Sequence, residues 1–185
     1  MEKPEKIDSN KIDNIIMQHC CIAGAAGLVP IPFADLAIML PQQIVLYKRL
    51  NKEYGVSLSE NSMKVIGSFM ISQITGMVSV FGIAIFAKAM FSTLKAIPGI
   101  GTIAGAAVDA TTNAAITWVL GVVYFIALEN VAKNSGNVTE ERLKESLATQ
   151  FANKGKIRDL FQEGKLKVKG IDFSKFKTAA KSKTD

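Results

Sequence analysis

ATTNAAITWVLGVVYFIAL, residues 110–128, is the stretch on which the fold turns. Its 19 residues carry no formal charge, close to the roughly 20 that one passage of a bilayer core requires. Thr111, Thr112, Asn113 and Thr117 interrupt it. Trp118 falls near its middle rather than at an end, where the aromatic side chains of a spanning helix gather. Just upstream, Gly101, Gly105, Asp109 and Asn113 follow at four-residue steps and so share one helix face. A carboxylate near a helix centre opposes insertion by about 2.5–3.5 kcal/mol. Small residues on the same face suit close approach of another helix.

Residues 65–87 form a second uncharged run, 23 long, in which Ser68, Ser72 and Gly76 repeat at four-residue spacing. Between the runs, Ile97, Pro98 and Gly99 break the chain. The two runs predict an all-α fold, a compact helical bundle with a central apolar, glycine-rich helical hairpin. Membrane embedding of that hairpin is left open. If it spans, Lys48, Arg49, Lys52 and Lys64 before it and Lys133, Arg142 and Lys144 after it place both ends in the cytoplasm.

Outward from this centre, a helix is expected from Ser9 through Ile12, Ile15, Ile16 and Cys20, ending before Pro30 and Pro32. A second opens after Pro32 with Asp35 in its first turn, bends at Pro41 and stops at Gly55. Ser57, Leu58, Ser59 and Glu60 read as a capping box for the third. Pro32 and Pro98 thus act as hinges, each followed by an aspartate in an apolar setting, Asp35 and Asp109. Thr139 caps a charged helix over 140–153 with Leu143, Leu147 and Phe151 as its buried stripe, and a short helical piece follows around Ile157, Leu160 and Phe161. The expected organisation is a polar segment at 1–13, an apolar helical domain at 14–132, amphipathic charged helices at 133–163 and a disordered lysine-rich tail at 164–185.

The 185 residues are 49% hydrophobic, and the mean hydropathy of +0.24 lies at the apolar edge of soluble proteins. Net charge is +6, most of it in the last segment. There Lys165, Lys167, Lys169, Lys175, Lys177, Lys181 and Lys183 face only Asp172 and Asp185. Beside an apolar body these lysines suit an anionic lipid surface, at about 1 kcal/mol each. Nucleic acid is not expected as a partner.

No arrangement of residues points to catalysis, a cofactor or a metal. His19 is the single histidine, and neighbouring helix positions do not aim it and Cys20 at one point. Cys20 and Cys21 are adjacent and expected to be buried thiols of a reducing compartment. The mixed charges of residues 1–13 are not those of a secretory signal. Asp35 reads as a helix-start carboxylate; Asp109 reads equally as a buried hydrogen-bonded acid or as a functional one.

Pro30-Ile31-Pro32-Phe33-Ala34-Asp35, then Gln42-Gln43, then Tyr54-Gly55-Val56, then Ile97-Pro98-Gly99-Ile100-Gly101 with Gly105, resemble the YcjF-type domain of unknown function. That bacterial family is associated with GTPases and the inner membrane. The resemblance covers residues 15–132. It implies a membrane-associated helical adaptor or scaffold, at the bacterial inner membrane or its cytoplasmic face, working with a separate GTPase. This chain has no phosphate-binding G-x-x-x-x-G-K-[ST] loop of its own. The alternatives are a pore- or channel-forming helical module, a soluble lipid-binding helical protein and a cytoplasmic location, and homo-oligomerisation stays open.

Overall fold

A computed structural model describes the backbone of residues 8–28, 34–77 and 102–176, and the side chains of 8–28, 39–77 and 110–176. Local sequence accounts for most helix ends. The Asp8 carboxylate accepts from the Asn10 N–H at 2.9 Å and starts α1, Ser9–Ala26. Ile12, Ile15, Ile16, His19, Cys20 and Ala23 form its buried stripe. α2, Ala34–Glu53, continues through Pro41. It is closed by Gly55, whose φ of 62° is open to glycine at little cost, with Val56 N–H returning to Asn51 O at 2.9 Å.

α3, Glu60–Gly76, is capped by Ser59, whose hydroxyl accepts from Ser62 N–H at 3.0 Å. The expected pairing of Ser57 with Glu60 is replaced by this one, because the helix begins at Glu60 itself. α4, Thr102–Ser135, spans 34 residues, about 51 Å at 1.5 Å per residue. Thr139 caps α5, Glu140–Ala152, and its buried residues are Leu143, Leu147 and Phe151. Asn153 ends α5 and caps α6, Lys154–Lys167, accepting from Lys156 N–H at 3.0 Å. A single 3₁₀ turn, Phe173–Phe176, follows.

The protein is an all-helical bundle, with six α-helices and no strand among the described residues. α4 is its axis. From Ala110 to Leu128 it is apolar around most of its circumference, and α1, α2, α5 and α6 all pack against it. α1 runs antiparallel to α4: Gly27 lies against Ala110 and Asn113, and Ile16 lies against Gly121. α3 packs on α2 and α5, with Gly67 against Leu40 and Ile44. Residues 78–101, which include positions 78–87 of the first expected run and the breaker between the runs, lie outside the described residues.

Helices cross two of the expected boundaries. α4 crosses the one placed at 132/133 and the helices beyond it pack back on α4, so 133–163 shares the core of the apolar domain. The described part of the lysine-rich segment, 164–176, packs on the bundle. Gly164 and Val168 are buried, and Phe173, 7% exposed, packs on Gly24 where any side chain would collide with its ring. Apolar residues spaced among the lysines supply the burial that a purely solvated tail would lack.

Candidate functional site

α2 places a polar row inside the core. Gln43, Tyr47 and Asn51 recur at four-residue steps and face α4. Gln43 Nε2 donates to Thr117 Oγ1 at 3.1 Å, and Tyr124 donates its hydroxyl to Asn51 Oδ1 at 2.8 Å. The Tyr47 and Tyr124 rings stack with centroids 4.2 Å apart at 14°. Beside the row, Gln42 Nε2 donates to the His19 carbonyl at 2.6 Å. Each such bond contributes about 1 kcal/mol net, whereas an unpaired buried polar atom costs about 1–3. Gln43 Oε1, Tyr47 OH and Trp118 Nε1 are buried without a hydrogen-bond partner among the described residues. The row therefore fixes the register of α2 on α4 more than it adds stability.

Burial sets the protonation of these groups. It pushes the Tyr47 and Tyr124 hydroxyls up from 10.0, and with Cys21 beside it pushes the Cys20 thiol well above 9.0. Cys21 is raised by burial as well. Thiols held in this neutral form are poor nucleophiles. No group of three or more His, Cys, Asp or Glu side chains converges to hold a metal among the described residues.

The outer face of α6 offers different chemistry. Leu166 is 71% exposed, the one large hydrophobic side chain left so open among the described residues. Lys165 before it in the chain, and Lys169 and Lys175 after it, are exposed. Lys165 lies 5.9 Å from the centroid of the Phe161 ring, leaving its charge at the surface. On the same stretch Glu163 lies 3.8 Å from Lys167, and Asp172 is tied to Ser174 Oγ at 2.6 Å and Ser174 N–H at 3.1 Å, which hold its carboxyl below the usual range.

Lys167 behaves otherwise. Its ammonium sits 4.4 Å from the Trp118 ring centroid and 3.1 Å from Asp13 Oδ2, so it pins α6 to α1 and α4. Of the residues singled out in the sequence, Asn113 is half-buried against Gly27, whose missing side chain makes the approach possible. Asp35, Gly105 and Asp109 lie in helices whose side chains are not described there, and Pro32, Pro98, Gly101, Lys177, Lys181 and Lys183 lie outside the described residues. Leu166 stands outside the sequence-predicted site residues; with Lys167 and Val168 it reads in sequence as a strand signal, whereas it lies in α6, where a leucine between two lysines marks an amphipathic surface. The Gln42-Gln43 pair stood in the family motif without a role, and packing supplies one.

Residues 5–156 match the family described as Domain of unknown function (DUF697). The chain belongs to this family. The match takes in α1 to α5 and stops short of Leu166 and Lys167. Among curated proteins, the DUF697 chain is similar to Magnetosome membrane protein 22 of Magnetospirillum gryphiswaldense. The two are 27% identical over 144 residues, which is 78% of this chain and 70% of the relative. No solved structure matches.

Proposed function

We propose that this DUF697 protein is a helical adaptor or scaffold that adsorbs to an anionic membrane surface through the α6 face around Leu166. The observation that carries the reading is a leucine left 71% exposed near the end of a helix packed on α4, with exposed Lys165 beside it in the chain and exposed Lys169 and Lys175 shortly after it. An apolar anchor among cations is the pairing that interfacial helices use. The similarity to a protein named as a membrane protein supports the same reading.

α4 is the one helix among the described residues long and apolar enough to cross a membrane, over Ala110–Ser135 with hydropathy 1.7. In its most apolar window 67% of residues are buried against other helices, as in the core helix of a soluble protein. This supports adsorption of the intact bundle over spanning. The resemblance to GTPase-associated proteins extends the proposal to a separate GTPase as partner and to the cytoplasmic face of the bacterial inner membrane.

Flotation with phosphatidylglycerol vesicles, compared with phosphatidylcholine vesicles, tests the surface. The full chain binds the anionic vesicles at about 0.1 M salt and releases them as salt screens the lysines. Lys165→Glu and Lys169→Glu each weaken binding by fivefold or more, since removing one lysine alone costs about 1 kcal/mol. Leu166→Glu weakens it further. Binding that ignores all three substitutions, or no binding to anionic vesicles, refutes the proposal.

A further inference from the structure

The α1–α2 hairpin opens at one end into a polar groove of about 540 Å³, lined by Ile15 and by polar side chains from the first half of α1 and the last turns of α2. That volume falls within the roughly 300–1,000 Å³ of small-ligand sites. Its charges are Asp8, Glu53, Lys11, Arg49 and Lys52. Both carboxylates are already engaged: Asp8 accepts from Asn10 N–H at the start of α1, and Glu53 Oε2 holds Lys11 Nζ at 2.5 Å.

The cations are less committed. Arg49 uses Nη1 to reach Gln18 Oε1 at 3.0 Å and lies 3.4 Å from His19 Nε2, which fixes the guanidinium in place. Its remaining donors, and the whole Lys52 ammonium, have no described hydrogen-bond or ion-pair partner. Amide groups of Asn14 and Gln18 add neutral donors on the α1 side.

We propose that this groove binds a phosphate-bearing anion, with Arg49 as the fixed, fork-shaped contact and Lys52 as the mobile one. A planar guanidinium anchored on one amine presents the others in the geometry that phosphate oxygens accept. Lys52, on an exposed last turn, closes over the ligand without breaking any described bond. The ligand is a phosphate group, carried either by a small soluble molecule or by a lipid headgroup. The site is separate from the Leu166 face, so the proposal stands or falls independently of membrane adsorption through α6.

The test uses the full chain and two probes. Pyrophosphate titration followed by calorimetry reads the soluble source, and flotation with phosphatidic acid vesicles against phosphatidylglycerol vesicles reads the headgroup source. Either saturable pyrophosphate binding or a preference for phosphatidic acid is expected, weakened about tenfold in Lys52→Gln and further in the Arg49→Gln, Lys52→Gln pair. Lys154→Gln, exposed and outside both the groove and the Leu166 face, leaves that binding or preference unchanged. Lys52→Gln alone keeps the test decisive, because it removes no described contact and folding is checked by circular dichroism. Absence of both signals, or signals that Lys52→Gln leaves intact, overturns the proposal.

Discussion

Gly121→Ala is the sharpest test of α4 as the axis of the bundle. In an exposed helix interior the change gains about 1 kcal/mol, because alanine restricts the unfolded chain more and forms helix more readily. Gly121 is not in such a place. A methyl group there would meet Ile16 Cγ2 at 2.8 Å, Ile16 Cγ1 at 3.0 Å and Leu46 Cδ2 at 3.3 Å. Two of the three atoms belong to a β-branched side chain that is 1% exposed and has few alternative rotamers. Overpacking of this kind costs about 1–3 kcal/mol, so the variant is expected to lose up to about 2 kcal/mol net.

Equilibrium urea unfolding, followed by the single tryptophan, Trp118, and by circular dichroism, measures the change. Gly155→Ala in the first turn of α6 is the control, its nearest neighbour being Asn153 Oδ1 at 3.6 Å, and it should be neutral or stabilising. A double-mutant cycle with Ile16→Ala sharpens the result. Removing both Ile16 Cγ atoms makes room, so the pair should cost about 1 kcal/mol less than the sum of the single changes. A Gly121→Ala protein more stable than the parent by the full helix-propensity gain, with no coupling to Ile16, would refute the packing of α1 and α2 on α4.

Two further outcomes follow from the polar row and from the buried titrating groups. Tyr47→Phe removes a hydroxyl that has no described partner and should be neutral or stabilising, whereas Tyr124→Phe strands Asn51 Oδ1 and should cost about 1–3 kcal/mol; equal effects in urea unfolding would contradict the row. Cys20, Tyr47 and Tyr124 have folded-state pKa values raised by burial, so their contribution is complete below the unfolded values of 9.0 and 10.0 and is lost as pH rises above them. Stability should then fall by about 1.4 kcal/mol per pH unit for each group, with the onset near pH 9 weakened in Cys20→Ala, where Cys21 alone still contributes to it. A urea midpoint unchanged between pH 8 and pH 10.5 would show that these groups ionise as readily in the fold as outside it.

Much of the helical layout is legible in the sequence, because it is written in local chemistry. The stripe from Ile12 to Ala23, the stop at Gly55, the Thr139 cap and the Leu143, Leu147, Phe151 stripe all depend on residues within a turn or two. The face of α4 was not legible. A helix apolar all round has no stripe to orient it, so its packing on α1 through Gly27 and Gly121 follows from where glycines meet partners distant in the chain. The ordered stretch after Gly164 was hidden for a related reason. Lysine content suggested solvation, while Gly24, 149 positions before Phe173, is what admits its ring. Nothing near Lys167 in sequence announces Trp118 or Asp13.

The same packing supports the proposed adsorption over spanning as the way such a chain would meet a membrane. If α4 left the bundle for a bilayer, its own apolar surface would gain nothing, since it is already out of water. Its partners would lose cover instead. Ile12, Ile16, Leu46, Leu50, Leu143, Leu147 and Phe161, each at most 2% exposed, form one core with it. At about 1.5–3 kcal/mol for each side chain returned to water, their exposure would cost about 10–20 kcal/mol. That matches or exceeds the 5–15 kcal/mol by which whole domains are stable. Adsorption through Leu166 and its lysines exposes none of these residues. Each lysine contributes about 1 kcal/mol at an anionic surface, so in the proposed mode a few of them would give a salt-sensitive, reversible attachment with the bundle intact.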